Sequence, residues 1–353
     1  MTDSSTQPAS GTVPTASAAP TPASAGSSPS PSAATGSPAH AAALDRTGLG
    51  LGLGAYLVWG LFPLLMHALV PASPLEITAQ RALWSLLVCA VIVTVVRGWA
   101  RLRTALSDLR TVATLALAAA LIVANWLIYV YAVTSDQVNS ASLGYYINPL
   151  VLVGLGVVVL GERLRRGQVV AVAIATVAVV IIGVEVGGLP WIALALAFSF
   201  GIYGLIKKRL NVDPVTGLTI ETLVLAPFAA IAVWWMHHAG TLTFGTRGGD
   251  GLGIGHDLLL ASTGVFTVGA LLLFAGGAQR LPLNIVGLLQ YLAPTIMFML
   301  AVWHFGEPMS TGRWIGFLLV WVALIVLTVD SFRASRARTR DPREAEVEPT
   351  EPV

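Results

Sequence analysis

The chain has 353 residues, of which 55% are hydrophobic and 11% charged, and its mean hydropathy is +0.77. Soluble domains carry about 25% charged residues, so this composition excludes an ordinary soluble enzyme and indicates an all-α polytopic membrane protein. The net charge of +2, spread between apolar runs, argues against nucleic acid as a partner, and the single cysteine, Cys89, excludes a disulfide framework within one chain.

Residues 1–43 are mostly Ser, Thr, Ala, Pro and Gly, without the basic start and apolar run of a signal peptide. Such a segment cannot bury enough apolar area to offset its ordering entropy, so 1–43 and the Arg/Glu/Pro-rich 333–353 are expected to be disordered cytoplasmic tails. Between them lie ten apolar runs, 48–70, 77–97, 111–133, 141–160, 168–187, 190–207, 217–236, 257–279, 284–305 and 312–330. Each approaches the roughly 17–25 residues of a bilayer span, and backbone groups in lipid must be satisfied within the segment, so all ten are expected to be helices. The split between the fifth and sixth rests on Gly187-Gly188-Leu189-Pro190, a turn signal.

Alternate loops collect the positive charge: Arg97, Arg101, Arg103 and Arg110; Arg163, Arg165 and Arg166; Lys207, Lys208 and Arg209; Arg280; and the C-terminal arginines. By the positive-inside rule both termini are expected in the cytoplasm, with the chain multi-pass in the plasma membrane.

Sliding the sequence by 145 residues places Asn139 on Asn284, Tyr146 on Tyr291, Pro149 on Pro294, Gly161-Glu162 on Gly306-Glu307 and Gly167 on Gly312. Residues 44–187 and 188–332 thus read as two five-helix repeats, and an odd helix number turns the second upside down. In transporters of this kind the substrate sits near the midplane between repeats.

Pro149 and Pro294 fall inside apolar runs, where each removes a backbone hydrogen bond and is expected to kink the helix near Tyr145 or Gln290. The kinked surfaces, Tyr145, Tyr146, Asn148, Gln290 and Tyr291, are expected to line a central cavity. Arg81 and Glu221 are ionisable groups well inside helices and so candidates for function, Arg81 to attract anions, Glu221 to bind a cation or carry a coupling proton. Their depths differ by ~15 Å, which argues against a direct ion pair. Asn125 and Trp126, deep in the third run, serve either as interhelical links or as cavity lining. Trp59 and Tyr203 complete the expected walls. Glu162 and Glu307 end their helices beside short loops, where a carboxylate accepts from the N–H groups of a neighbouring helix; a gating role is the other option. No Walker A, His-Glu-x-x-His or Gly-x-Ser-x-Gly sequence is present, and no cofactor or metal site is expected.

The stretches Ala55-Tyr-Leu-Val-Trp-Gly60, Arg81-Ala-Leu-Trp-Ser85, Ala141-Ser-Leu-Gly-Tyr-Tyr-Ile-Asn-Pro-Leu150, Leu160-Gly-Glu-Arg163 and Thr216-Gly-Leu-Thr-Ile-Glu-Thr222 resemble the EamA type of the drug/metabolite transporter superfamily, and within it the RarD family. The resemblance implies a plasma-membrane permease for metabolites or drugs that hydrolyses no ATP. The expectation is a secondary active transporter rocking two halves about a central site, its partners a small-molecule substrate, the lipid bilayer and, through Glu221, protons. An aromatic cavity with one charge of each sign suits an amphipathic or zwitterionic organic molecule. A channel, or a membrane-embedded lipid-modifying enzyme, is the alternative.

Overall fold

The computed structural model describes residues 45–160, 164–208, 210, 212–245, 253–281 and 283–340, and every regular element among them is a helix. In chain order these are α1 (Arg46–His67), α2 (Pro74–Val95), α3 (Trp99–Ser107), α4 (Leu109–Thr134), α5 (Val138–Leu160), α6 (Arg166–Val186), α7 (Trp191–Lys208), α8 (Pro214–His238), α9 (Gly253–Ala278), α10 (Leu283–Leu289), α11 (Leu292–Met299), a π-helical turn (Leu300–His304) and α12 (Thr311–Arg340). Among the described residues eight apolar stretches are long enough to cross a bilayer: α1, α2, α4, α6, α8, α9, the run Ile285–His304, and the Thr311–Arg333 part of α12. The 23-residue α5 and the shorter apolar α7 pack among them.

Local chemistry sets the helix starts. Ser73 caps α2 by accepting from Glu76 N at 3.1 Å, and Asp213 caps α8 by accepting from Thr216 N at 3.0 Å; a proline follows each cap at the first helical position. Burial pushes the Asp213 carboxyl up, but hydrogen bonds from the Thr216 side chain and backbone, with the charge of Arg101, outweigh it and hold the group below its ordinary range. The shared start makes Arg81 and Glu221 the eighth residue of their helices, counting from Pro74 and Pro214. At the expected division between the fifth and sixth runs, Gly187 adopts the left-handed conformation, φ 73°, and closes α6 before Pro190 leads into α7.

Three features depart from the expectations. The arginine-rich segment after the second run folds into the short α3, whose Leu102 is buried while Trp99, Arg101 and Arg103 face outward. The ninth run, expected to kink near Gln290, goes further and breaks there: α10 stops at Leu289, Gln290 and Tyr291 form a turn, and α11 resumes at Leu292. And α12 continues to Arg340, into the stretch expected as tail, because residues 333–340 contain neither Gly nor Pro before Pro342. Residues 1–44 and 341–353, with the rest of both expected tails, lie outside the described residues.

The main packing partners join the first five apolar helices to the last five: α6 with α12, α2 with α8 and α9, α5 with α7 and α11, α1 with α9 and α11, and α4 with α7 and α8. Several pairs run antiparallel. Ser73, before α2, reaches Met236 near the end of α8, while Cys89, late in α2, packs on Leu218 near the start of α8. Arg165, before α6, pairs with Asp330 in the last part of α12, while Ile182 meets Gly316 near its start. On α6 and α12, Gly167 leaves room for the Asp330 carboxylate and Gly312 for that of Glu185. Adding 145 to Gly167 and Glu185 gives Gly312 and Asp330, so one contact is made twice with the roles of the two segments exchanged. In this packing the two halves of the sequence are interleaved, each packing mainly on the other.

Candidate functional site

A buried guanidinium is costly, so its partners decide what the site around it can do. Arg81 is 6% exposed. Its Nε donates to Thr267 Oγ1 of α9 at 2.8 Å, and its Cζ lies 4.1 Å from the centre of the Trp126 ring and 5.1 Å from that of Phe62. Among the described residues it forms no ion pair. The site therefore holds one positive charge against aromatic faces.

Trp126 is aimed at Arg81 by α4, which also carries Asn125 beside it and Tyr129 one turn on. Asn125 is 1% exposed; its amide donates to Leu196 O at 3.1 Å and Ser199 Oγ at 2.9 Å on α7, and its Oδ1 accepts from Tyr145 OH at 3.3 Å. Through these bonds Asn125 links α4 with α5 and α7. Ring contacts continue from there: Tyr129 to Tyr145 at 6.0 Å, Tyr145 to Phe200 at 6.1 Å and Phe200 to Tyr203 at 6.1 Å. Tyr203 OH donates to Glu221 Oε2 at 3.2 Å, and Lys207 Nζ to Glu221 Oε1 at 2.6 Å. A file of aromatic rings on three helices, α4, α5 and α7, thus leads from Arg81 to Glu221.

Lys207, inside the expected 190–207 run but counted among the loop charges, lies on α7, and its ammonium turns inward to a carboxylate that is 1% exposed. Glu221 is not a free acid. Among the described residues no ion pair joins it to Arg81. An α7 lysine close to its helix end was the available signal, because a long side chain can reach inward as readily as toward the membrane surface.

The remaining expected wall residues separate. Trp59 on α1 contacts Tyr56 and Phe274, at 5.3 and 5.6 Å between ring centres, beside the core that includes Phe62 and Tyr129. Tyr146 turns away, toward α11 and α12: its hydroxyl is 2.7 Å from Thr295 Oγ1 and its ring meets Phe317 and Trp321. Tyr291 packs against the core that holds Tyr146, Phe298 and Phe317, away from the Arg81 cluster. Asn148 is buried with its Oδ1 unpartnered among the described residues. The two proline segments do meet, Ser142 Oγ donating to Pro294 O at 2.8 Å. The two sites are unequal: the helix breaks before Pro294 but runs unbroken through Pro149 on α5, which packs on α7 and α11.

Glu307 accepts from the backbone N–H groups of Val138 and, at 3.0 Å, of Asn139, capping α5 from outside that helix. Burial holds its carboxyl above the ordinary range, although both N–H groups and Arg313 pull it down. Glu162 lies outside the described residues. The sequence reading missed Glu76, which is fully buried and accepts from Thr243 N, Thr243 Oγ1 and Phe244 N; Thr243 Oγ1 in turn lies 2.9 Å from His256 Nε2. It also missed Tyr129 and Thr267. The first could have been found from its place on the Asn125–Trp126 face of α4, the second from the Thr263–Thr267 spacing of one helical turn. Among the described residues no cluster of His, Cys, Asp and Glu could hold a metal ion.

The profile of the EamA-like transporter family matches this chain twice, over residues 46–184 and 188–329. Protein RarD of Streptomyces exfoliatus is 47% identical over 297 residues, covering 84% of this chain and 93% of its own length. Protein RarD of Escherichia coli strain K12 is 38% identical over 297 residues, covering 84% and 98%. An uncharacterized transporter, YojE, of Bacillus subtilis strain 168 is 42% identical over 290 residues, covering 80% and 94%. A protein crystal structure superposes with a TM-score of 0.52 at 22% identity over 82% of this chain and 98% of the other, a likeness of fold alone.

Proposed function

Because the chain belongs to the EamA-like transporter family and, within it, to the RarD group, we propose that it is a secondary active transporter moving a small organic molecule across the plasma membrane by alternating access. The observation that carries this reading is the buried Arg81 without a counter-ion, set among aromatic rings inside the helices. A purely structural guanidinium would be expected to have a carboxylate beside it.

The finer architecture is part of the same proposal. Ten membrane-spanning helices form two inverted repeats, with both termini cytoplasmic. Three features support this: antiparallel pairs between the segments, the exchanged Gly167–Asp330 and Gly312–Glu185 contacts, and Arg81 and Glu221 at one register of antiparallel helices. The moving bodies draw helices from both repeats, since α6 packs chiefly on α12 and α2 chiefly on α8 and α9.

Proton coupling runs through Glu221 paired with Lys207: a proton reaching the carboxylate releases the ammonium, and the freed side chain lets that end of the aromatic file open. The test is counterflow of a labelled compound in proteoliposomes. Saturable exchange accelerated by unlabelled compound inside supports a carrier, and non-saturable flux counts against it. If Glu221→Gln leaves both the rate and its pH dependence unchanged, the coupling role fails.

A further inference from the structure

The buried charges point beyond a generic cargo. Glu221 is matched by Lys207. Glu76 is surrounded by donors from Thr243 and Phe244, and Glu307 by the first N–H groups of α5. Arg81 has one hydroxyl acceptor, Thr267, and two ring faces. Among the described residues it is the buried charge left over. Around it hydrogen-bonding groups are also left over: Tyr129 OH, and Thr78 Oγ1 and Ser85 Oγ, one turn either side of Arg81 on α2, have no partner among the described residues. Buried polar groups are almost always satisfied, so a cluster of orphans around an unpaired guanidinium marks where a ligand brings acceptors.

We propose that the cargo is an organic monoanion, its carboxylate docking on Arg81 with Tyr129 donating a further hydrogen bond and its aromatic or apolar body lying along Trp126 and Tyr145. This deepens the transporter reading and rests on it. One guanidinium neutralises one negative charge, which favours a carboxylate over a phosphate dianion, and its planar fork matches two carboxylate oxygens. A zwitterion, suggested by one charge of each sign, loses its second partner because Lys207 already holds Glu221. The aromatic file then serves as the apolar track that a carboxylate-bearing ring follows.

The test uses the full-length protein in detergent and follows its thermal midpoint with benzoate, phenylacetate and 3-phenylpropionate, each against its neutral amide and against phenethylammonium. The expected result is saturable stabilisation by at least one acid, with about 10- to 100-fold weaker binding of its amide and none of the amine. Arg81→Gln should erase the preference for acid over amide while leaving the ligand-free midpoint unchanged or higher. Equal binding of acid and amide, binding by none of the three acids, or an intact acid preference in Arg81→Gln overturns the proposal. The acid–amide comparison in wild type needs no variant, so a poorly folding Arg81→Gln leaves the proposal testable. Flux assays separate the two readings: acid binding without counterflow sinks the transporter and spares the anion site, and counterflow of amides but not acids does the reverse.

Discussion

The guanidinium carbon of Arg81 lies 4.1 Å from the centre of the Trp126 ring, close enough for the ring face to stand in for part of the missing negative charge. Pairs of this kind contribute about 0.5–1 kcal/mol when exposed and about 2 kcal/mol when desolvated. Trp126→Leu, which keeps apolar bulk and removes the ring quadrupole, should weaken uptake of the transported compound about 3- to 30-fold in apparent affinity while Trp126→Phe loses less. Concentration dependence of counterflow measures both. An identical loss for Leu and Phe would assign Trp126 to shape alone.

The Lys207–Glu221 pair joins a half-buried ammonium to a carboxylate that is 1% exposed. Lys207→Gln strands the carboxylate and should destabilise the folded protein by about 1–3 kcal/mol, less than a fully buried pair because solvent reaches the lysine. Adding Glu221→Gln should recover most of that loss, giving a coupling of about 0.5–3 kcal/mol in a double-mutant cycle. Thermal unfolding of the four proteins in one detergent gives the number, and additive effects would mean that the two side chains do not depend on each other.

Glu307 stands apart from the membrane-spanning runs, and burial raises its carboxyl above the ordinary value. A carboxyl raised in the folded state contributes stability that is present below its unfolded pKa and lost as pH rises through the folded one. Wild type should therefore lose stability relative to Glu307→Gln as pH climbs from about 4 through the mildly acidic range. Melting midpoints of the two proteins across that range decide it. A gap widening in favour of wild type would show that the α5 N–H groups dominate.

Gly167 and Gly312 occupy matching places, yet their neighbours differ in freedom. Asp330 is held by Arg165 Nε at 2.7 Å, whereas Glu185 is exposed and forms no ion pair among the described residues. Gly167→Ala should cost about 1–2 kcal/mol and Gly312→Ala less than ~0.5 kcal/mol, since only the second displaced carboxylate can swing aside. Gly264→Ala should be worse than either. Its new methyl would meet the backbone of Trp84 and Ser85 at 2.5–2.6 Å, and backbone cannot rotate away.

Helix existence and punctuation were readable in the residues because both are local. Gly187 and Pro190 mark a turn wherever they stand, and the Ser73-Pro74 and Asp213-Pro214 starts carry their own caps. The break at Gln290 follows from Pro294, but nothing near Pro149 in sequence reveals that α5 runs on through it. Partners distant in sequence were the harder part. Arg81 was visible as an anomaly and Trp126 as a bulky neighbour, while their stacking, the turn of Lys207 toward Glu221 and the loop that saturates Glu76 depend on helix rotations that composition leaves open. Tyr146 and Tyr291 are drawn toward the centre by their place beside the prolines and instead pack in the core that α5 shares with α11 and α12.

The pairing of α6 with α12 and of α2 with α8 bears on how the chain is made. When the sixth helix begins to leave the ribosome, α1 to α6 have most of their eventual neighbours still unsynthesised, so their polar residues, Arg81 among them, wait in lipid or beside the insertion machinery. A nascent first half is then a docking partner for its own sequel, and folding completes only at α12. Two fragments cut between Gly187 and Gly188 and produced together should find each other and assemble, whereas the first fragment alone should be cleared by membrane proteases.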